Sequence, residues 1–253
     1  MERVAYLVAR PTPFWRTTSR TIVVTLCVLG ACQPHSDVVE VEEEGRFLDP
    51  VMADGEHYAL EFENDYLRVL RENLAAGEGG AMHSHRPRVS LYLRDAQVEL
   101  TPRGGEPIET QLVAGTTSWG DATTHQGVVK GGIVENLSIE LEDLQGGEVP
   151  APELDAVGVD PDHHIVLFEN DRVRVVRFRY PPGWKTPLHQ HRAGFGVALT
   201  DLHVRNVYEQ GEAAEIQRAA RSTFWTEDPP HDSENLSSSE LVVIFVELKK
   251  RPG

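Results

Sequence analysis

The sequence predicts an all-β protein made of two tandem barrels, and three features of the chain support this prediction. The chain repeats itself at a spacing of 106 residues. Each copy contains short segments in which charged and aliphatic residues alternate, which is the pattern of a half-buried strand. Glycine, proline, asparagine and aspartate separate these segments, and helical periodicity is weak, which favours a sandwich or a barrel.

The repeat indicates an internal duplication. Residues 57–125 and 163–231 align without a gap and are identical at 23 of 69 positions, far more than unrelated segments share. We therefore expect two domains, at 56–144 and 163–250, joined by a glycine- and proline-rich linker at 145–162. Beyond the aligned part, a shared Glu-Asn-Leu-Ser sequence matches only if seven residues are inserted in the first copy.

The N-terminal segment predicts export. Four arginines precede an uncharged apolar run at 21–31, which is too short to span a bilayer as a permanent helix. Residues 1–31 therefore read as a signal peptide, and the Leu-Gly-Ala-Cys sequence that ends at Cys32 resembles the lipobox of bacterial lipoproteins. This resemblance implies that Cys32 carries a lipid and that the protein is exported and anchored in the bacterial cell envelope. A plain secretory peptide and a misassigned start codon are the alternatives.

Charge and cysteine content limit the partners of the chain. Removal of residues 1–31 takes away four arginines and one glutamate and changes the net charge from −16 to −19. Because such a charge repels nucleic acid and anionic lipid, we expect no nucleic-acid partner and membrane contact only through the lipid. Residues 32–55 form an acidic tether. Loss of Cys27 and lipidation of Cys32 leave no thiol, so histidine must supply any metal ligands.

Each copy contains a His-x-His pair followed at a fixed distance by a third histidine. Residues i and i+2 of a strand face the same side, so the pair directs two imidazoles into one volume, and a facing strand can supply the third. Three imidazole nitrogens at about 2.1 Å form a facial site for a divalent transition metal, with positions left open for water or substrate. Hydrogen-bonded barrel histidines, or surface residues retained from the duplication, are the alternative. The predicted ligands are His83, His85 and His125 in the first copy and His189, His191 and His231 in the second.

These histidines also carry a resemblance to the cupin superfamily. The first cupin motif opens with a glycine, five residues and His-x-His, and the second motif has an asparagine four residues after the third histidine. The chain resembles a bicupin, which implies two antiparallel jelly-roll barrels that bind iron, manganese, nickel, copper or zinc. The matching residues are Gly77, His83 and His85 in the first copy and Gly183, His189, His191, His231 and Asn235 in the second.

The sequence departs from the cupin pattern at the acidic ligand. A glutamate normally follows His-x-His by a few residues, but Val89 and Phe195 stand there, and Val129 replaces the asparagine in the first copy. Three neutral imidazoles leave the charge of a divalent ion uncompensated, which favours an anionic chelating ligand. The pattern resembles the three-histidine branch of cupins, which includes thiol dioxygenases and diketone-cleaving dioxygenases. Those enzymes use ferrous iron, so Fe(II) is the favoured cofactor.

Arginines near the histidines are candidates for substrate binding. Arg86 and Arg192 follow His-x-His at equivalent places, with Arg88 nearby, and arginine can bind a carboxylate through two parallel hydrogen bonds. Arg86 has the opposite strand parity to the preceding histidine, which favours an outward orientation. We expect Trp119 and Trp225 to pack in the barrel wall rather than to form a substrate shelf.

Three functions are compatible with these patterns. The first is a metalloenzyme of the cell envelope, of dioxygenase type, that acts on a small anionic substrate. The second is a non-catalytic module that binds a metal ion or a metal-chelated small molecule. The third is a degenerate barrel used for subunit contacts. Two barrels in one chain imitate a cupin dimer, so both a monomer and a homodimer fit the sequence, and no catalytic residue is assigned.

Overall fold

Alternating buried and exposed side chains form the strands that make up most of the protein. The computed structural model describes residues 46–252, so the predicted signal peptide, Cys32 and the tether up to residue 45 lie outside the described residues. The described part contains 17 strands and two helices of four residues each, which confirms the all-β prediction. No described helix is long and apolar enough to cross a bilayer.

The first half of the described chain forms two opposed sheets. Its elements are α1 (Pro50–Ala53), β1 (Tyr58–Glu63), β2 (Leu67–Leu74), β3 (His83–His85), β4 (Arg88–Tyr92), β5 (Ala96–Pro102), β6 (Ile108–Leu112), β7 (Thr117–Gly120), β8 (Thr123–Gly132) and β9 (Val134–Leu141). One sheet has the order β1-β2-β9-β4-β7, and the other has the order β3-β8-β5-β6.

The second half repeats this arrangement. Its elements are α2 (Ala156–Val159), β10 (His164–Glu169), β11 (Val173–Tyr180), β12 (Gly194–Ala198), β13 (Leu202–Tyr208), β14 (Ala213–Arg218), β15 (Thr223–Thr226), β16 (His231–Asn235) and β17 (Leu241–Leu248). The sheets have the orders β10-β11-β17-β12-β15 and β14-β13-β16. Each half is therefore a jelly-roll barrel, as predicted.

The two five-stranded sheets share a hydrophobic core. Successive strand residues point to opposite faces, so one set packs between the halves while the alternate set faces the interior of its own barrel. Val89 and Phe195, which occupy the places of the absent cupin glutamate, are fully buried in this shared core. The core contains Leu67, Val69, Val89, Leu91, Leu93, Leu137, Ile139, Leu141, Val173, Val175, Phe195, Val197, Ile244, Val246 and Leu248.

Packing in each repeat begins upstream of the predicted domain starts. Helices α1 and α2 lie in the predicted tether and linker, and each follows an aspartate that pairs with a buried arginine of the barrel. Asp49 pairs with Arg68, and Asp155 pairs with Arg174. The described end of the tether therefore packs against the first barrel.

The two copies align differently from the prediction after the third histidine. Strand β9 pairs with β2 in the register in which β17 pairs with β11, so Glu140 opposite Arg68 corresponds to Glu247 opposite Arg174. The spacing between copies is thus 107 residues in the last strand. The predicted Glu-Asn-Leu-Ser match is wrong, because it sets part of β9 against β16 and the turn that follows β16.

Candidate metal centres

Strand pairing in the first barrel brings three histidines together. His83 and His85 lie on β3, and β3 pairs with β8 so that His125 lies directly opposite His83. Ring centroids are 4.8 Å apart for His83 and His85, 4.9 Å for His83 and His125, and 5.2 Å for His85 and His125. One nitrogen from each ring lies within 4.8 Å of the other two. All three predicted ligands of the first copy therefore meet in one cluster.

Hydrogen bonds orient two of these rings toward a common point. His83 Nδ1 lies 2.7 Å from the carbonyl oxygen of Ala81, and His85 Nδ1 lies 2.6 Å from Glu140 Oε1. When each Nδ1–H donates to its oxygen, each Nε2 presents a lone pair. The two Nε2 atoms are 3.0 Å apart, close to the separation of two nitrogens bound at right angles to an ion at about 2.1 Å. A divalent ion fits here, because it would bind two lone pairs that otherwise repel each other.

The second barrel assembles its predicted ligands in a similar way. His189 lies opposite His231 in a β-bridge, with ring centroids 4.7 Å apart. The His191 centroid lies 4.8 Å from that of His189 and 5.8 Å from that of His231. Nδ1 of His189 and Nδ1 of His231 each lie 2.9 Å from a proline carbonyl oxygen, which leaves Nε2 for a metal. Among the described residues His189 Nε2 is buried without a hydrogen-bond partner, as an unused metal ligand would be.

A fourth histidine joins the second cluster, and the sequence analysis missed it. One nitrogen each of His164, His189 and His191 lies within 4.8 Å of the other two. The His164 ring centroid is 5.1 Å from that of His189. His164 Nε2 also lies 2.7 Å from the hydroxyl of Tyr180, which can donate a hydrogen bond to it. Among the described residues, the group that meets this distance in the second barrel is therefore His164, His189 and His191, and the predicted ligand His231 lies beside it with its ring centroid 4.7 Å from that of His189.

Tyr58 occupies the equivalent place in the first barrel. It stands 106 residues before His164, and its hydroxyl lies 3.1 Å from His83 Nε2. The two clusters thus differ in the group next to the triad, a phenol in one and an imidazole in the other. A search for histidines common to both copies could not detect this difference.

Burial lowers the pKa of five of the clustered histidines. Together with the charges of neighbouring histidines, it lowers the pKa of His125 to about 3, of His164 to about 4 and of His189 to about 2. Burial also lowers the pKa of His85 and of His231. Because the neutral imidazole is the form that binds metal ions, these side chains are competent ligands at neutral pH.

A buried glutamate stands behind each His-x-His pair, and neither glutamate was predicted. Glu140 is fully buried, and it accepts hydrogen bonds from His85 Nδ1 and, at 2.7 Å, from Arg68 Nε. Glu247 is equally buried and accepts from its own cross-strand arginine at 2.6 Å. It lies 3.7 Å from His191 Nδ1, which is beyond hydrogen-bond range. A carboxylate behind a ligating imidazole fixes the orientation of the ring and raises its basicity.

The predicted substrate arginines lie outside the histidine cavities. Arg86 is half-buried and pairs with Glu142. Arg192 is buried, donates to a backbone carbonyl oxygen at 2.9 Å and lies 3.3 Å from Glu247. Neither side chain lines the cavity of its barrel, whereas Arg88 lines the first cavity.

Arg88 is a cation without a carboxylate partner among the described residues. It lies on β4, directly opposite Glu140 of β9. Its guanidinium nevertheless donates a hydrogen bond to the carbonyl oxygen of Asp121, at 3.3 Å. Burial lowers the pKa of Arg88, and the nearby acidic groups offset only part of that effect. The first cavity therefore contains a guanidinium that forms no direct ion pair with a carboxylate of the described residues.

The two cavities differ in volume and in the side chains that line them. The first cavity, of about 90 Å³, includes Glu72, whose carboxylate accepts a hydrogen bond from Asn136 at 3.0 Å. The second cavity, of about 230 Å³, is mainly aromatic and aliphatic. Trp119 and Trp225 both pack against the shared core, and Trp225 also lines the second cavity.

Comparisons with known proteins agree on the fold. No protein-family profile and no curated protein sequence matches the chain. AerE from Microcystis aeruginosa matches in structure with a TM-score of 0.52 and 14% identity, covering 77% of this chain and 93% of that chain. The oxalate decarboxylase of Lactobacillus farciminis in its formate complex matches with a TM-score of 0.51 and 12% identity, covering 79% and 86%.

A variant of the oxalate decarboxylase of Bacillus subtilis gives a similar result. Its TM-score is 0.52 at 11% identity, and the match covers 79% of this chain and 77% of that chain. At these identities the similarity shows the fold alone. The sheet order in both halves agrees with it, as do the paired histidine clusters. The chain therefore has the bicupin fold, with two tandem cupin-type jelly-roll barrels.

Proposed function

We propose that the protein is a metal-dependent enzyme of dioxygenase type that acts on a small anionic substrate in its first barrel. One observation supports this above all: a carboxylate-free histidine triad and Arg88 share one cavity. Three neutral imidazoles leave a divalent ion its full charge, so an anionic substrate would complete the site. Arg88 offers that substrate a second positive group.

The first cavity favours a small carboxylic acid that also carries a hydrogen-bond donor. Its volume of about 90 Å³ admits only a small molecule. Arg88 would bind the carboxylate, and Glu72, held by Asn136, would accept a hydrogen bond from a hydroxyl, thiol or amino group. Tyr58 is the cross-strand neighbour of Glu72 and also contacts His83, so it links this acid to the histidine cluster.

The side chains of the first cluster have separate roles in this proposal. His83, His85 and His125 would hold the metal, and Glu140 would keep His85 in the binding orientation. A bound ferrous ion would supply the affinity for dioxygen and its activation, and manganese, nickel, copper and zinc are the other candidates. Burial of the cluster would exclude bulk water from the reacting atoms.

Oxygen uptake by the iron-loaded chain tests this proposal. The protein would be loaded with Fe²⁺ without oxygen and then screened with small hydroxy-, thio- and amino-carboxylates. For an active acid, Arg88→Gln is expected to raise KM by about 10- to 100-fold, because a charged hydrogen-bonding partner of the carboxylate is lost. Arg86→Gln is the matched control and should leave KM unchanged. Full iron occupancy of the first cluster without oxygen uptake would contradict the proposal.

A non-catalytic binding module is the second candidate function, and the second barrel favours it. Gly194 and Phe178 stand at the places of Arg88 and Glu72, so this cavity lacks the charged pair of the first. A module of this kind would retain its metal tightly and show a ligand-dependent rise in Tm, while the ligand itself stayed chemically unchanged. Turnover that depends on the second cluster would contradict this alternative.

We also infer that the protein works in the bacterial cell envelope, anchored by a lipid on Cys32. The charged and apolar pattern of residues 1–31 and the lipobox-like sequence support this inference. Cys32→Ser is expected to move the exported protein from the membrane fraction to the soluble fraction. Membrane retention of the variant at the wild-type level would contradict the anchor.

A further inference from the structure

We propose that the second barrel binds a different class of ligand from the first: a metal chelator that carries an aromatic or similarly flat apolar ring. This inference rests on the proposed metal at the second histidine cluster. It is carried by the wall of the second cavity, where three phenylalanines stand at places that hold polar residues in the first half.

At three positions of its wall the second cavity has a ring where the first half has a polar group, whereas Leu100 and Leu112 of the first cavity correspond to Asn206 and Arg218 of the second. Three phenylalanines line the second cavity, at places that are acidic or hydroxylic in the first half. At a fourth position the charge is absent, because Gly194 stands where the first cavity has Arg88. The pairs are Glu72 with Phe178, Ser118 with Phe224, Ser138 with Phe245 and Arg88 with Gly194.

Two glycines of β12 make room for these rings. A Cβ atom at Gly196 would lie 2.2 Å from the ring of Phe224, and a Cβ atom at Gly194 would lie 2.8 Å from the ring of Phe245. Contacts this short do not occur between carbon atoms, so both rings lie directly on the strand backbone. The glycines and the rings form one arrangement, which the first barrel lacks because Arg88 and Ser90 hold the equivalent positions.

The rings line the second cavity without filling it. Although three phenylalanines have been added to its wall, its volume is about 230 Å³ against about 90 Å³ for the first cavity. The Phe178 ring lies 5.4 Å from the Phe245 ring and stacks on the His191 ring at 4.9 Å. A flat apolar group would therefore meet ring faces while its chelating end reached His191 and His231, which line the same cavity.

The wall of the second cavity also contains charged residues, and its arginine contacts one of the phenylalanines. The Arg218 guanidinium carbon lies 4.7 Å from the centroid of the Phe224 ring, within cation–π range. Asp228 also lines the cavity and supplies a negative charge. Arg218 therefore lies against a ring of the wall, and each cavity contains one arginine and one acidic residue.

Two hydroxamates test this proposal, since benzohydroxamate and acetohydroxamate chelate a metal through the same group and differ only in phenyl against methyl. The full chain would be loaded with Co²⁺, whose visible spectrum reports ligand binding at the metal. The double variant His83→Ala/His85→Ala isolates the second site. There we expect benzohydroxamate to bind about tenfold more tightly than acetohydroxamate.

Phe224→Ser is the decisive variant, because it introduces the residue that the first barrel has at the equivalent position. It should remove most of the phenyl preference and leave acetohydroxamate affinity unchanged. Phe245→Leu is a second variant that serves if Phe224→Ser fails to fold, and Ser118→Ala is the matched control in the first barrel. Ser118→Ala should keep the preference.

Equal affinity for the two hydroxamates at a Co²⁺-loaded second site would overturn the proposal. So would a phenyl preference that neither phenylalanine variant reduces. Failure of the second cluster to bind Co²⁺ would instead overturn the proposed metal site together with this inference, so the two failures are distinguishable.

Discussion

The two barrels have kept one backbone geometry for their metal ligands and have let their cavity walls diverge. In the first, His83 faces His125 across paired strands, and in the second His189 faces His231 across a bridge. The walls around these clusters differ, because three phenylalanines of the second stand at places that hold Glu72, Ser118 and Ser138 in the first half. Strand register fixes which residues converge on the metal, whereas a wall residue needs only to face inward. Duplication therefore preserved the clusters more strictly than the ligand specificity around them.

Removal of one His-x-His pair at a time is the most severe test of this comparison. The double variants His83→Ala/His85→Ala and His189→Ala/His191→Ala should each lose one metal equivalent per chain, because two of the clustered ligands are gone. Elemental analysis measures the loss. If either variant lost both metals or neither, the two clusters would not be independent sites.

Substitution of Glu140 should have the next largest effect. Glu140→Ala leaves Arg68 Nε and His85 Nδ1 buried without their acceptor, although Asp49 still pairs with the Arg68 guanidinium. We expect a loss of about 3–5 kcal/mol in the free energy of unfolding, measured with urea. Glu140→Gln should cost less, because its amide oxygen still accepts a hydrogen bond. A loss below about 1 kcal/mol in Glu140→Ala would show that this carboxylate does not support the cluster.

Gly196→Ala probes the aromatic wall of the second barrel. The added Cβ atom would collide with the Phe224 ring, so we expect a destabilisation of about 1–3 kcal/mol. Ser90→Ala, at the equivalent position of the first barrel, should change stability by less than about 0.5 kcal/mol. Thermal unfolding of both variants gives the comparison, and equal effects would argue against a specialised wall.

Exchange of the residues beside the triads should have the smallest effect. His164→Tyr is expected to weaken metal binding at the second cluster by about tenfold, since a fourth imidazole near the ion is lost. Tyr58→His should strengthen the first cluster by a similar factor. Competition with a chromophoric chelator measures both affinities. An unchanged affinity in both variants would mean that His164 only packs beside the metal.

The sequence predicts what the repeat shares. The strand patterns, the two barrels and the His-x-His pairs could all be predicted, because identical residues at a fixed spacing expose them. His164 could not be found in this way, since its counterpart is Tyr58. The sequence analysis mentions Arg88 only as a residue near Arg86, because its counterpart in the second copy is Gly194 and not another arginine.

The buried glutamates were missed for a different reason, although the sequence contains a signal for them. Both copies end in a strand that closes with an aliphatic residue, a glutamate and a leucine, so a charged residue lies between two aliphatic residues in each. The incorrect Glu-Asn-Leu-Ser match placed the two last strands out of register and hid this agreement. Sequence pattern alone does not show that Glu140 and Glu247 face inward; the pairing with β2 and β11 does.

Each barrel buries the apolar sheet face of the other in the shared core. If the chain were cut in the linker, each fragment would present a sheet of exposed aliphatic side chains, including Val89 or Phe195, and would tend to aggregate. Fragments produced together in one cell would instead reassemble into a heterodimer. Mutations that reshape one cavity can thus accumulate while the opposite half keeps the molecule folded.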